Sequence, residues 1–110
     1  MHREAYEFVK TVKAQSPEFF TGKRVLEVGS LDINGSVRDF FDNCDYTGID
    51  LGPGKGVDCV AHVTQLPFSV GQLGPTPFDV VISSEALEHD SLWAQSLRKM
   101  YELLNPNGIL

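Results

Sequence analysis

The run Arg24 to Gly35, R-V-L-E-V-G-S-L-D-I-N-G, limits the choice of fold more than any other stretch of the chain. Val25, Leu26 and Val28 make a short apolar, β-branched segment long enough for one buried strand. It runs into Gly29 and Ser30, and a helix is expected to begin near Ser36, where Ser36-Val37-Arg38-Asp39 matches a capping box. A strand that ends in a glycine turn and a helix N-terminus brings backbone close to a ligand. The unpaired N–H groups of the helix favour a negative group there. This arrangement points to an α/β sheet with a small-molecule site at the carboxyl ends of its strands.

The remaining elements follow in order. Ala5, Phe8, Val9 and Val12, at i, i+3, i+4 and i+7, predict an N-terminal amphipathic helix, broken at Ser16-Pro17. Phe19 and Phe20 are expected core plugs. Val37, Phe40 and Phe41 give the helix from Ser36 its buried side, with Asn43 as a left-handed cap near its end. Tyr46 to Asp50 reads as a second strand, Leu51 to Gly56 as a glycine-rich loop, and Val57 to Ala61 as containing a short third strand. His62 to Phe68, which includes Leu66-Pro67-Phe68, reads as a turn or one-turn helix, and Gly71 to Pro77 as a further loop.

Phe78 to Ser83 carries the strongest strand pattern in the chain. A short helical segment, Glu85 to His89, should come next, followed by a longer helix capped by Asp90 or Ser91. In that helix Trp93, Leu97, Met100 and Leu104 share one stripe. Asn105-Pro106-Asn107-Gly108 is expected to end it, and Ile109-Leu110 to open a fifth strand at which the chain stops. This order predicts one domain: a Rossmann-like three-layer α/β sandwich with a mainly parallel sheet. Its C-terminal strands are missing, so the chain reads as part of a longer domain.

Composition narrows the function. With 42% hydrophobic and 22% charged residues the chain has a soluble protein's balance, and no apolar run approaches the ~20 residues of a membrane span. The N-terminus lacks the apolar core of a secretion signal, so the expected location is the cytoplasm. Cys44 and Cys59 show no metal-ligand spacing and are expected to be reduced thiols. A net charge of −6 argues against a nucleic-acid surface.

Two carboxylates stand out. Asp50 closes the second strand, beside the end of the first, where one carboxylate can accept from both hydroxyls of a ribose and disfavour a 2′-phosphate. The plainer alternative is that it starts the following turn. Glu27 lies within the first strand, where a buried carboxylate needs backbone N–H groups, water or a cation. It either serves the site or makes a structural hydrogen bond.

These pieces stand in register with a known pattern. V-L-E-V-G-S (25–30), N-G-S-V-R (34–38), Y-T-G-I-D (46–50), G-V-D-C-V (56–60), L-P-F (66–68), F-D-V-V-I-S-S-E-A-L-E-H (78–89) and L-L-N-P-N-G-I-L (103–110) together resemble the class I S-adenosylmethionine-dependent methyltransferases. The resemblance implies that Glu27, Gly29, Ser30 and, later in the same loop, Gly35 surround the methionine part of the cofactor. It implies that Asp50 binds the ribose and Leu51 packs on adenine. His62 and Val63 would border the adenine edge, and Ser83 and Glu85 would lie under the methionine. His62 stands where an acidic residue is common in the family, and Asn107 where a glycine is usual. The loop departs from the family's alternating glycines, Gly35 coming six residues after Gly29.

Glu88 and His89 have two readings: a base beside the acceptor, or residues that order the loop after the fourth strand. A nicotinamide-binding domain is the nearest rival, but its G-x-G-x-x-G needs three glycines where this loop has two. The expected function is therefore direct methyl transfer from S-adenosylmethionine to an acceptor the sequence does not identify, a small molecule being favoured. S-adenosylhomocysteine is the expected product, and no metal is implied. A non-catalytic cofactor-binding or interaction module is the alternative, and an uncovered sheet edge would invite a homodimer.

Overall fold

A computed structural model of the chain describes residues 3–32, 35–65, 78–83 and 91–109. The elements are α1 (Arg3–Gln15), β1 (Arg24–Val28), β2 (Asp45–Asp50), β3 (Cys59–Val60), β4 (Phe78–Ile82), α2 (Trp93–Glu102) and β5 (Leu104–Ile109). The five strands pair in the order β3-β2-β1-β4-β5, and every pairing is parallel. The chain thus winds one way from β1 and then returns to its other side at β4. That reversal leaves a crevice between the carboxyl ends of β1 and β4.

Strand alternation divides the core into two layers. Leu26 and Val28 of β1, Ile49 of β2 and Val81 of β4 pack with Met100 and Leu103 on the face covered by α2. On the other face Ile82 packs against the layer of Val9, Phe20 and Val37, which Phe19, Phe40 and Phe41 extend. Phe20 is buried and Phe19 half-buried, as their plug role requires. Cys44 and Cys59 are free thiols.

α1 keeps most of its expected stripe: Val9 is buried, Val12 packs on the same aromatic layer and Ala5 is half-buried, but Phe8 is 69% exposed. Tyr6 meets Phe40 in a tilted contact at 4.7 Å, and Lys13 reaches the Phe40 carbonyl oxygen and lies 3.6 Å from Asp42. A ring and a long amphipathic stem thus add to the apolar contacts. α2 is turned by about one residue from the stripe read in the sequence. In α2 the inward positions are Ser96, Met100 and Leu103, whereas Trp93 is 58% exposed. Among the described residues no side chain caps α2, whose N-cap is Leu92 and not Ser91; Asp90 lies outside the described residues.

Two further expectations change. The segment from Ser36 forms a single 3-10 turn, Val37–Phe40, with Phe41 already extended. Ser36 does cap it, accepting from the Arg38 amide at 3.1 Å, and Asn43 does take a left-handed φ of 52°. Leu104 belongs to β5, not to α2, and Asn105–Gly108 lies within that strand. The register jumps there, since Phe78 pairs Leu104 but Val80 pairs Ile109. Proline has no N–H to give a ladder, so a strand containing one sits at the end of the sheet order and pairs irregularly.

Two places in the sheet are tightly determined. A Cβ at Gly48 would lie 2.3 Å from the Gly56 carbonyl oxygen and 2.5 Å from Ser30 Oγ, so β2 needs glycine where two loops close over it. Glu27, only 4% exposed, points to the α1 side and accepts a 2.6 Å hydrogen bond from the Tyr46 hydroxyl. Burial pushes its carboxyl from 4.5 up to about 7, against the opposing pull of that hydrogen bond and of Arg38. Burial and the neighbouring Glu27 also raise the Tyr46 hydroxyl.

Gly48→Ala should lower the stability by about 2–3 kcal/mol, because the obstacle is backbone. Urea denaturation would show it as an earlier midpoint at unchanged slope; an unmoved midpoint would contradict the packing. Glu27 gives a pH signature. Its folded pKa exceeds the unfolded one, so its contribution is complete below 4.5 and is lost as pH rises through about 7. Glu27→Gln, which stays neutral, should gain on the wild type by roughly 3 kcal/mol between pH 4.5 and 8.5. Parallel unfolding curves for the two proteins across that range would refute the assignment.

Candidate functional site

The carboxyl ends of β1, β2 and β4 lie side by side in the parallel sheet, and the loops that leave them form the site. At Gly29, φ +79° turns the chain out of β1. The Gly29 and Ser30 amides then both donate to the Ile49 carbonyl oxygen, at 2.8 and 3.0 Å. The chain is thereby carried over the end of β2. Leu31 continues the path by donating its amide to Asp50 Oδ2 at 3.0 Å.

Asp50 sits half-buried at the end of β2, as the sequence places it. Its second oxygen accepts from the Gly52 amide at 3.3 Å. A carboxylate has about four lone-pair sites, so each oxygen retains acceptor capacity toward the crevice. Leu51, next to it, is 72% exposed and offers an apolar surface beside that carboxylate. This is a suitable pair for a nucleoside: an acceptor for a sugar diol, and a flat patch for a base.

The other expected site residues divide into those the structure gathers there and those it employs elsewhere. Glu27 turns to Tyr46 on the α1 face, a structural hydrogen bond of the kind the sequence left open. Ser30 is 2% exposed, and its hydroxyl is directed at the space above Gly48. His62 ties the segment after β3 to α2. Its Nδ1 is 2.7 Å from Thr64 Oγ1 and its Nε2 3.4 Å from the buried Ser96 Oγ. Val63 is buried in the α2-side core, so the edge of the site beyond β3 is formed by backbone more than by these side chains. Gly35 donates to Asp32 Oδ1 at 2.9 Å. Ser83, at the end of β4, has a buried hydroxyl with no partner among the described residues. Glu85, Glu88 and His89 lie outside the described residues, as do residues 66–77.

The loop amides of Gly29, Ser30, Leu31, Asp32 and Gly35 bond to Ile49, Asp50, Lys55 and Asp32, and the helix expected after them is one short turn. Asp32 and Lys55 are thus parts of the site that the motif reading missed. Their backbone bond joins residues far apart in sequence, and no spacing rule reports it.

Beside the site lies an apolar cavity of about 750 Å³ between α1 and the end of β4. Phe8, Val12, Phe19, Phe41, Val80 and Ser83 are among its walls. Leu97 and Met100 of α2 also line it, and Ser83, whose buried hydroxyl has no partner among the described residues, is on its wall.

Known proteins bear on this geometry in two ways. The chain superposes on the crystal structure of Burkholderia thailandensis 1,6-didemethyltoxoflavin-N1-methyltransferase, which has 1,6-didemethyltoxoflavin and S-adenosylhomocysteine bound. The TM-score is 0.67 at 18% identity, covering 97% of this chain and 50% of that one. This likeness establishes the Rossmann-like α/β fold, and the chain spans about half the length of that protein. Comparison with curated proteins finds no match. The profile of the family described as Methyltransferase domain matches residues 26–110, from the first strand to the last residue. The chain belongs to the methyltransferase domain family.

Proposed function

We propose that the chain binds S-adenosylmethionine at the carboxyl ends of β1, β2 and β4 and serves methyl transfer to a small molecule. The observation that carries this reading is Asp50: a carboxylate at the end of β2, anchored by two amides and still able to accept, beside the exposed Leu51. When bound, the cofactor supplies an electrophilic methyl group on a positively charged sulfur.

The described residues fit that ligand in parts. Asp50 would accept from both ribose hydroxyls with charge-assisted bonds, and Leu51 would cover adenine. The turn at Gly29 and Ser30 would border the methionine moiety through its backbone outline, since its amides are already engaged. Backbone near His62 and Val63 would close the adenine edge. The Ser83 hydroxyl lacks a partner among the described residues and would gain one from the polar end of the methionine or from the acceptor. Glu85, Glu88 and His89 remain part of the proposal on sequence grounds alone.

The cavity beneath α1 supports an apolar, small acceptor. Its walls are aromatic and aliphatic, and it reaches Ser83 at the same end of the sheet as Asp50. The contribution of the chain would be orientation and exclusion of water more than covalent chemistry. The structural neighbour methylates a small molecule by its name, in keeping with this reading. A cytoplasmic setting agrees with the free thiols of Cys44 and Cys59. Among the described residues no helix is long and apolar enough to cross a membrane.

The alternative is a module that binds the cofactor without turnover. Titration calorimetry with S-adenosylmethionine and S-adenosylhomocysteine, followed by a methyl-transfer screen, separates the two. Asp50→Ala should weaken binding of either ligand by roughly 1–3 kcal/mol, the scale of lost hydrogen bonds to a charged group. Unchanged affinity in that variant would place the ribose elsewhere.

A further inference from the structure

We infer that Asp32 is a positioning residue for ligand binding, acting through the Leu31 amide to orient the Asp50 carboxylate toward a cis-diol. The inference rests on the cofactor reading above. Asp32 is the point where three constraints on the loop meet. Its amide donates to the Lys55 carbonyl oxygen at 2.8 Å, its Oδ1 accepts from the Gly35 amide at 2.9 Å, and its Oδ2 lies 3.6 Å from Lys55 Nζ. The residue before it, Leu31, holds Asp50 Oδ2 at 3.0 Å.

The geometry divides the carboxylate's capacity. Leu31 takes a lone pair on Oδ2 and Gly52 one on Oδ1, so the plane of the group is set and each oxygen keeps acceptor room. Two adjacent hydroxyls, one per oxygen, complete such a group. A loop that drifted would leave Asp50 free to rotate, and the diol would then have to order it. Leu31 cannot hold this bond alone, since its amide is aimed only while residues 32 and 35 are tied down.

The two Asp32 oxygens are unequal. The bond to Gly35 is short and stabilises the turn where φ is +107°. The partner on the other oxygen, Lys55, is 82% exposed, and such an ion pair contributes little in water. The carboxamide of Asn can accept from Gly35 as the carboxylate does, whereas Ala cannot.

The test is calorimetry on the 110-residue chain with S-adenosylhomocysteine and its 2′-deoxy analogue. The wild type should prefer the ribose form by about tenfold, one lost hydrogen bond to a charged group. Asp32→Ala should weaken S-adenosylhomocysteine about fivefold and the deoxy analogue less than twofold, so the preference narrows. Asp32→Asn and Lys55→Ala should stay within about twofold of wild type. Equal weakening of both ligands by Asp32→Ala, or no weakening, overturns this inference alone. No heat from the wild type with either ligand overturns the cofactor reading and this inference with it. Amide exchange needs no variant: Leu31 and Gly52 should stay protected when S-adenosylhomocysteine binds, and a Leu31 amide that loses protection overturns the inference.

Discussion

The Ile49 carbonyl oxygen accepts two amides, those of Gly29 and Ser30, and the arrangement of the site depends on that junction. It bends the chain leaving β1 across the tip of β2, where it meets the loop after β2. Gly48, lacking a side chain, makes the meeting possible, since Ser30 and the Gly56 carbonyl occupy the space a Cβ would need. The Asp58 carboxylate closes the other flank, accepting from the Gly48 amide at 2.7 Å and from Arg38 at 3.3 Å. Backbone polar groups at a loop crossing must find partners or stay wet, and here they find each other. The price is that the glycine turn has few amides left to offer an anion. The turn instead holds the Asp50 carboxylate through the Leu31 amide.

Beneath this junction the sheet carries a polar chain of its own. Glu27 is bonded to Tyr46, the Tyr46 ring lies under the Arg38 guanidinium at 4.7 Å, and Arg38 reaches the Tyr46 carbonyl oxygen. The same Tyr46 ring meets Phe41 edge-on at 5.3 Å, which joins the polar chain to the aromatic layer under α1. A carboxyl at this position is only about half ionised near pH 7, because burial raises it to about 7 against the opposing pull of the Tyr46 hydrogen bond and Arg38. Glu27 thus belongs to the foundation of the loop. Asp50, one strand over, is half-buried at the end of β2, its carboxylate bonded to loop amides.

How far these features were legible varies with the physics behind each. β1 and β4 were plain, since buried parallel strands are continuous apolar runs, and β2 was marked by the run from Tyr46 to Asp50 before a glycine-rich loop. The helix from Ser36 was overestimated. Its cap pattern is real, but Phe41 and Asp42 are drawn into extended pairing, as the bridge between Thr21 and Asp42 shows. The α1 face was read correctly except at Phe8, and the α2 face was misjudged by about one position, because Tyr6, Lys13 and Ser96 make contacts that a hydrophobicity stripe does not count. Asn105–Gly108 read as a stop and is strand, because the pairing of Leu104 and Ile109 with β4 outweighs local turn preference.

Sequence alone therefore placed β1, β2 and β4, the mainly parallel α/β sheet they form, and Asp50 at the tip of the second strand. Each follows from local apolar runs punctuated by glycine and proline, signals that act over a few residues. Only the tertiary structure decided what the site residues do. It turned Glu27 to Tyr46 and His62 to Ser96, placed Ser30 over Gly48, and made Asp32 the tie between two loops. These outcomes depend on partners roughly 19 to 34 residues apart, and hydrogen bonds at such separations exist only once the sheet has brought its strand ends together.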